Sequence, residues 1–533
     1  MTPRATIEVE AKFDVLGRGP TRALLEAPEL AGLPGIGAAR RVRHVDRYLD
    51  TADGRLRTAG WAARLRTIDG DGPRIQLKQI AAPGGDGVTR RAELDGPAGP
   101  GDDPISWPAS AARRRLIQLL HGDAASTRLT LSQDRLVREF GDDGSRVELS
   151  LDRTSALLGD GVAGRLTLLE LELRAGDAAG FDRAAAHLRV QSFLSPSRVT
   201  KLGWGTTLVA NRTRAEALPA IAEEDQPLAG DDPTAEVGRR ILRAQLRRLL
   251  DRERAFLATP GAEEIRRMRV ATRRLRATWR AFGPLFAGRT PDRLRRRLGR
   301  LGDALSAVRD LDVLLGRLEA WAAGPGSADP DGLAGLATAI GTRRAAALTR
   351  LESELAAPRH ARWLYAFAEF VETPGQGVVP AQPPAPRLAR EQVGGWIWAA
   401  FERLLAWEPM LPVADLPTLH LLRIDAKRLR DLVQVVVPLS TEPAAAIVAA
   451  LVRLQDTLGA MNDATVTAGA CRAYLDEHVG TLQATEVRAV SRFATAQEGA
   501  AEILRHRAPA AWRGATSPLA RRRIGRFIGG LGG

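Results

Sequence analysis

Residues 7–13, IEVEAKF, alternate charged and apolar side chains in a way that decides how the first part of the chain folds. Successive side chains of a β-strand point to opposite faces of the sheet. On a strand, Glu8, Glu10 and Lys12 therefore share one face, and the apolar residues between them share the other. The pattern predicts a strand with one charged face and one buried face.

The same two-sided pattern recurs along residues 1–208, in short segments separated by Gly, Pro and Asp clusters. Many short strands favour an antiparallel sheet or barrel, and residues 110–120 and 181–194 have helical spacing. One interpretation is an ordinary sheet whose charged face is solvated. Because both signs of charge gather on that face in nearly every strand, we favour a closed barrel whose charged face lines a tunnel. The paired positions are Arg64 and Arg66, Arg91 and Glu93, Glu148 and Asp152, and Glu170 and Glu172.

Such a tunnel favours metal and phosphate binding. Crowded carboxylates repel one another and take up protons unless a cation joins them. Oxygen ligands suit a hard divalent ion, and Mg²⁺ also binds substrate phosphates. Arginine can hold phosphate through bidentate hydrogen bonds, and lysine acts as a point charge.

The composition favours an anionic partner and a cytoplasmic protein. The net charge of +14 indicates nucleic acid, an anionic membrane or phosphate chains as partners. No apolar run reaches the roughly 18 residues of a membrane span, and the N-terminus lacks a signal-peptide pattern, so a cytoplasmic location is expected. Cys471 is the one cysteine, which excludes intrachain disulfides and cysteine-based zinc sites. It is interpreted as a packing residue.

Lysine is rare in this chain, since only four of the 77 basic residues are lysine and the rest are arginine. A chain that uses arginine wherever it works should keep lysine where a compact ammonium is needed. The alternative is that four lysines remain by chance. The four are Lys12, Lys78, Lys201 and Lys427.

The pattern changes to long Ala/Leu/Arg helices at about residue 233. Residues 209–232 are acidic and contain proline, as is typical of a linker. We therefore predict a multidomain protein. Its parts are an N-terminal α+β antiparallel barrel at 1–208, a linker, and a C-terminal all-α domain at 233–533.

The C-terminal part is an internal duplication. A Pro-rich segment at 374–387 divides it into predicted repeats at 233–373 and 388–533. Residues 265–286 align with residues from 419 onward at a shift of 154, and a second block that follows each of them aligns at a shift of 153. A duplicated helical bundle is predicted.

Each repeat carries a stripe of basic residues on one face of a helix. Like charges at this spacing destabilise a helix unless an anion compensates. A solvated basic face is the alternative, but the repetition of the stripe favours two helices that clamp a linear polyanion. The first stripe is Arg266, Arg269, Arg273 and Arg276, continuing to Arg280, and the second is His420, Arg423, Lys427 and Arg430.

The motif EVEAK at 8–12 resembles the E-x-E-x-K signature of the CYTH domain, the triphosphate tunnel metalloenzyme family. The resemblance continues in order as far as Lys201. It implies hydrolysis of a triphosphate to diphosphate and phosphate, with Mg²⁺ or Mn²⁺ and without a protein nucleophile. The implied catalytic residues are Glu8, Glu10, Lys12, Glu170 and Glu172.

The same resemblance implies the binding residues of the tunnel. Gln133 is an alternative to Arg135 in the register of its strand. The implied metal ligands are Glu8, Glu10, Asp152, Glu170 and Glu172. The implied triphosphate-binding residues are Lys12, Arg64, Arg66, Lys78, Arg91, Arg135 and Lys201.

Residues 266–277, RRMRVATRRLRA, and 419–430, LHLLRIDAKRLR, resemble the two main motifs of the CHAD domain, a duplicated helical module linked to polyphosphate binding. Arg266 stands where that family usually has histidine, so only His420 of the pair remains. Charge-based anion binding is unaffected, because arginine stays cationic. Asp310 and Asp463, which align at the shift of 153, are expected to brace the basic residues rather than bind metal.

The expected function is therefore hydrolysis of inorganic triphosphate in the barrel and binding of long-chain polyphosphate by the helices. An organic substrate such as thiamine triphosphate or ATP, including cyclase chemistry, stays open. So does a non-catalytic protein associated with polyphosphate granules. Nucleic acid is disfavoured because aromatic and basic residues do not interleave, and no membrane partner is expected. His44, His121 and His187 are interpreted as surface or packing residues.

Overall fold

The chain forms two compact units, Met1–Thr213 and Arg214–Gly533. Each unit has its own hydrophobic core. The computed structural model describes residues 6–69, 71–81, 88–158, 161–197, 199–221, 223, 227–324, 331–380 and 388–532.

The first unit is an antiparallel barrel. Its strands are β1 (Thr6–Val15), β2 (Glu29–Leu30), β3 (Leu33–Asp50), β4 (Trp61–Ile68), β5 (Arg74–Gln79), β6 (Val88–Pro97), β7 (Ser126–Gly141), β8 (Ser145–Leu158), β9 (Gly161–Gly176) and β10 (Leu194–Pro196). Eight of them follow the order β1-β6-β5-β4-β3-β7-β8-β9, and the sheet closes because β1 also pairs with β9. The predicted antiparallel barrel is confirmed.

Apolar side chains on the outer face of the barrel are covered by helices. Phe13 of β1 packs in one core with Phe181 of α4 (Ala178–Arg189), and α1 (Arg18–Glu26) lies over the same side. Leu65 of β4 packs in another core with Leu116 of α3 (Ala111–Leu120), which α2 (Arg55–Thr58) joins. Burial of each large apolar side chain contributes about 1.5–3 kcal/mol. Because side chains alternate along a strand, this burial turns the charged residues into the barrel.

Helix α5 (Lys201–Glu216) packs against the inner face of β3, β7 and β8. Trp204 and Leu208 contact a core that contains Leu129 and Leu131 of β7. Gly205 permits the approach, because a Cβ atom there would lie 2.6 Å from Leu129 Cδ2. The prediction that the linker begins at residue 209 is wrong, since the helix continues through Glu216.

The second unit contains ten α-helices in its described residues. They are α6 (Thr234–Ala258), α7 (Ala262–Phe282), α8 (Arg289–Ala322), α9 (Ala334–Ala356), α10 (Pro358–Glu372), α11 (Ala389–Leu405), α12 (Leu416–Val436), α13 (Ala445–Glu477), α14 (Ala484–Thr516) and α15 (Pro518–Gly529). Helices α6–α10 and α11–α15 form the two repeats. The paired helices α7 and α12 both have 21 residues, and α8 and α13 have 34 and 33.

The end of the predicted linker is fixed to the second repeat. The backbone N–H of Ala389 donates to Asp232 O, and that of Arg390 donates to Gly230 O. Of the Pro-rich segment at 374–387, residues 381–387 lie outside the described part. Among the helices that the structure describes, none is long and apolar enough to cross a membrane.

Candidate functional site

The charged faces of the strands meet in a cavity inside the barrel. Glu8, Glu10 and Lys12 are only 6%, 5% and 4% exposed and all line this cavity, which confirms that the charged face of β1 points inward. The cavity has a volume of about 130 Å³. Its described lining carries eight cationic side chains: Lys12, Arg64, Arg66, Lys78, Arg91, Arg135, Arg174 and Lys201. Its acidic lining residues are Glu8, Glu10, Glu93, Glu170 and Glu172.

Acidic residues from three neighbouring strands lie in one row. Glu172 of β9 is directly opposite Glu10 of β1 and Glu148 of β8. Directly opposed like charges destabilise a sheet. Burial raises the pKa of Glu172 to about 7, and Glu8 and Glu148 add to the rise although Arg174 opposes it. The uptake of a proton would relieve the repulsion, and so would a bound cation.

Glu170 lies two residues before Glu172 on β9, on the same inward face, and is opposite Lys12. Burial would raise its pKa, but Lys201, Lys12 and Arg135 hold that pKa well below the usual range. Its Oε2 accepts a hydrogen bond of 2.9 Å from Lys201. Its Oε1 is buried and accepts none from the described residues, with Lys12 Nζ 3.6 Å away.

Glu8 is held by two cations, Arg91 on the adjacent strand β6 and Lys78 on β5 beyond it. It accepts hydrogen bonds from Lys78 Nζ at 2.5 Å and from Arg91 Nε at 2.7 Å. Burial would raise the pKa of Glu8, but these cations lower it to about 2. The same Arg91 reaches Glu10 Oε1 at 2.8 Å, which Lys12 also approaches at 2.7 Å. Burial would lower the pKa of Lys12, but Glu10 and Glu170 raise it.

Asp152 is fully buried and lies behind the cavity rather than in its described lining. Its Oδ1 accepts a hydrogen bond of 2.7 Å from Arg135 Nε, and its Oδ2 accepts one from Lys201 Nζ. As placed, it positions two cations, and its role as a metal ligand stays a prediction. Gln133 and Arg135 are two residues apart on β7 and therefore share a face. That face is the inward one, since they bind Asp46 and Asp152. Only Arg135 reaches the cavity.

The main inward residue that sequence reasoning missed is Asp46 of β3. It is 0% exposed and accepts hydrogen bonds of 2.7 Å from Arg66 Nε and Nη2. It also accepts from Arg64 at 3.3 Å and from Gln133 at 2.6 Å. Burial would raise the pKa of Asp46, but Arg64 and Arg66 keep it far below the usual range. Asp46 thus orients both arginines of β4.

Two further inward residues were not assigned a role in the barrel. His44, two positions before Asp46, is 6% exposed, and burial together with Arg66 and Arg135 lowers its pKa to about 3. The sequence interpretation was a surface or packing residue, and the structure places His44 among the buried residues. Arg174 of β9 binds Glu172 at 2.7 Å and Glu148 at 2.8 Å. Continuation of the alternation from Glu170 and Glu172 would have found it.

The carboxylates have the donor chemistry that Mg²⁺ or Mn²⁺ needs. All are oxygen donors, Glu170 Oε1 has no hydrogen-bond donor among the described residues, and burial raises the pKa of Glu172 although Arg174 is paired with it. In the described part of the chain, however, no three Asp, Glu, His or Cys residues converge as a ready-made metal site. Most of the carboxylates are paired with Lys or Arg instead. The residues fit a metal ion in chemistry, and binding would have to displace some of these pairs.

In the helical unit, the two predicted basic stripes face each other. Helix α7 contacts α12. Burial lowers the pKa of Lys427 to about 8, helped by Arg273, Arg423 and Arg280 and opposed by Asp431. Burial also lowers the pKa of Arg273. These partly buried cations carry more positive charge than their surroundings neutralise.

The positive charge is less concentrated at the ends of the stripes. Arg266 is exposed and binds Glu263 of its own helix at 2.7 Å. His420 is exposed, and its Nδ1 lies 2.8 Å from Asn462 Oδ1 of α13. Arg276 binds Asp303 of α8 at 3.2 Å, and Arg430 contacts Asp431 at 3.1 Å.

The aligned aspartates lie among the basic residues. Asp310 is close enough to Arg269 and Arg423 for both to lower its pKa, although burial, helped by Asp463, gives a net rise. Arg269 also donates to Ser306 Oγ at 3.3 Å. The bracing role of Asp310 and Asp463 stays a prediction.

Comparisons with known proteins divide the chain in the same way. Residues 6–202 match the family model of the CYTH domain, and residues 240–472 match that of the CHAD domain. A comparison with curated proteins finds no significant match.

Solved structures resemble one part of the chain or the other. The CHAD domain from the plant Ricinus communis is 23% identical and covers 57% of this chain and 95% of its own, with a TM-score of 0.41. PptA from Streptomyces chartreusis is 18% identical, over 53% and 100% of the two chains, with a TM-score of 0.42. HpAC1 from Hippeastrum, described with a dominant triphosphatase activity, is 18% identical over 37% and 94%, with a TM-score of 0.30. At TM-scores below 0.5, these likenesses carry no functional conclusion.

Proposed function

Because the chain contains a CYTH domain at 6–202 followed by a CHAD domain at 240–472, we propose that its barrel hydrolyses inorganic triphosphate and its helical domain binds polyphosphate. The observation that carries the first part is the convergence of eight cations and five acids on one small cavity. An excess of positive charge within a shielded space suits a compact polyanion. The volume of about 130 Å³ favours an inorganic substrate, since pockets for drug-sized ligands span roughly 300–1,000 Å³.

The cationic side chains of the barrel would position the triphosphate and stabilise its charge. Arg64 and Arg66, oriented by Asp46, would grip phosphate oxygens through their forks. Lys12, Lys78 and Lys201 would stabilise charge that develops on the leaving diphosphate. Phosphoryl transfer depends mostly on such positioning and electrostatics. The reaction then needs only water as nucleophile.

The proposal includes Mg²⁺ or Mn²⁺ as cofactor. Glu10, Glu170 and Glu172 are the best-placed ligands, because they line the cavity on adjacent strands. Glu8 adjoins them, and Asp152 contributes only if Arg135 or Lys201 releases it. When bound, the ion would neutralise phosphate charge and orient water toward the terminal phosphorus.

A hydrolysis panel tests the barrel proposal. Phosphate release should be fast with tripolyphosphate and Mg²⁺, slower with ATP and thiamine triphosphate, and abolished by EDTA. Glu170→Gln/Glu172→Gln should lose activity at least about 100-fold, because the metal-binding charges are removed. Full turnover in EDTA or in this variant would eliminate the metal site. Faster hydrolysis of an organic triphosphate would show that the substrate is organic rather than inorganic.

The proposal for the helical domain is supported by the two basic stripes that face each other on α7 and α12. Arg273 and Lys427 lie partly buried among other cations, which is costly without an anion. A linear polyphosphate presents regularly spaced negative charges to both helices at once. Because arginine and lysine dominate the stripes, binding is expected without histidine titration.

A further inference from the structure

A second basic feature of the helical unit lies apart from the α7 and α12 stripes. It is a groove between the first half of α8 and the start of α10, here named the α8–α10 groove. Its volume is about 470 Å³, within the range of roughly 300–1,000 Å³ typical of ligand pockets. Six arginines line it: Arg293, Arg296, Arg297, Arg300, Arg359 and Arg362.

The positive charge of the groove is largely uncompensated. Glu354 binds Arg297 at 2.7 Å and Arg359 at 2.6 Å. Within the described part of the chain, the other four arginines form no ion pair within 4 Å. Six cations therefore share one carboxylate.

The spacing of these arginines works against the helices that carry them. Arg293, Arg296, Arg297 and Arg300 are three, four and seven residues apart on α8, where like charges repel. Arg359 lies in the first turn of α10, where the helix dipole disfavours a cation. A bound anion would offset both costs.

The internal duplication shows that the fold does not require this charge. At the shift of 153, the α8 arginines fall on Ala446, Ala449, Ala450 and Arg453 of α13. Helix α15 begins at Pro518 as α10 begins at Pro358. Counted from that proline, Leu519 and Arg522 replace Arg359 and Arg362. The second repeat thus folds with only two of the six cations.

We propose that the α8–α10 groove is a second binding site, for a further stretch of inorganic polyphosphate. The identity of the ligand rests on the proposed function of the helical domain, whereas the site itself rests on the groove. Arginine forks match phosphate oxygens. Trp363, the one aromatic side chain in the described lining, is 6% exposed, and its indole N–H donates to Leu294 O at 3.3 Å. Nucleic acid would therefore find almost no ring face for base stacking.

The groove leads toward the α7 stripe. Arg300 is one turn before Asp303 on α8, and Asp303 binds Arg276 of the stripe at 3.2 Å. A polyphosphate chain long enough to occupy both sites gains affinity through effective concentration. Long chains should therefore depend on the groove, and short chains should not.

The test uses the full chain and labelled long-chain polyphosphate, titrated over a series of salt concentrations. Arg300→Gln/Arg362→Gln removes two groove cations, and Arg453→Gln/Arg522→Gln makes the same change at the equivalent exposed positions of the second repeat. The groove variant should bind at least about tenfold more weakly, because two charge-assisted contacts are lost. Its slope of log K against log salt should fall by about one to two. The control variant should bind like the unaltered protein, and hydrolysis of tripolyphosphate should be equal in all three.

Other results would overturn the proposal. Equal binding by both variants would mean that the groove is a solvated surface. If Arg273→Gln/Lys427→Gln loses binding while the groove variant does not, the proposal for the α8–α10 groove is wrong and the proposal for the two stripes stands. If the unaltered protein binds no polyphosphate, the proposed function of the helical domain fails as well.

Two additional measurements complete the test. Tighter binding of a single-stranded oligonucleotide, lost in the groove variant, would reassign the groove to nucleic acid and overturn the proposal. Circular dichroism checks that each variant folds. If Arg300→Gln/Arg362→Gln does not fold, Arg293→Gln/Arg296→Gln gives the same comparison.

Discussion

At the scale of single residues, the lysines of the barrel lie where a compact ammonium fits between carboxylates. Lys12 lies between Glu10 and Glu170, and Lys201 reaches Asp152 and Glu170. The scarcity of lysine therefore predicted these positions. Asp46 was not predicted, because its partners come from β4 and β7, and the adjacency of three strands cannot be read from spacing along one.

Asp46→Asn should destabilise the barrel and impair substrate binding. Removal of one partner from a buried ion pair costs about 3–5 kcal/mol, and Asp46 is 0% exposed between two arginines. The free energy of unfolding, measured by denaturant titration, should fall by about that amount, and KM for tripolyphosphate should rise. Asp143→Asn, in the exposed turn before β8, is the control. A change within about 0.5 kcal/mol at Asp46 would contradict its role as an anchor.

The charge of Lys427 should make polyphosphate binding depend on pH. With a pKa of about 8 in the protein without polyphosphate, the Lys427 side chain is charged below pH 8 and loses its proton as the pH rises through that value. Affinity should therefore fall by about fivefold between pH 7 and pH 9.5, the loss of one charged contact. The groups that act on Lys427 are Asp431 and Arg423 on α12 and Arg273 and Arg280 on α7.

Lys427→Arg isolates this effect, since arginine stays charged across the same range. The variant should bind with little change between the two pH values in a fluorescence titration. An equally steep decline in both proteins would show that another group titrates.

At the scale of elements, the strands could be predicted and α5 could not. Alternation of charged and apolar residues is a local property, so the inward faces of β1, β4 and β9 follow from sequence alone. Helix α5 has glycine and threonine in its first two turns and lacks a clear apolar stripe. Its position depends on the inner surface of the barrel, which exists only after the sheet closes.

Gly205→Leu should therefore displace α5. The added side chain would overlap Leu129 and Leu131 in a packed core, and overpacking costs about 1–3 kcal/mol. The midpoint temperature of thermal unfolding should fall. Hydrolytic activity should also fall, because Lys201 begins the same helix. Gly499→Leu on α14, with open space around its Cβ position, is the control and should be at least as stable as the unaltered protein. Equal stability of the two variants would argue against close packing at Gly205.

At the scale of the whole molecule, composition and internal repetition predicted two units and a duplicated helical part. The shifts of 154 and 153 residues between the repeats predicted similar helices, and α7 and α12 have equal lengths. The repeated stripe suggested two helices that clamp a polyanion, but the shift alone could not place them side by side, because that depends on how the repeats pack. The divergence of the repeats at the α8–α10 groove was visible in the sequence but had no meaning before α10 was placed beside α8.

The most direct measurement compares two adjacent arginines of β6 in tripolyphosphate hydrolysis with Mg²⁺. Arg91 points into the barrel and binds Glu8 and Glu10, whereas Arg90 is exposed on the other face. Arg91→Gln should lower kcat/KM by about 100-fold or more, the usual effect of losing one preorganised donor, and Arg90→Gln should leave it unchanged. Equal activity of the two variants would contradict catalysis by the inward-facing charges.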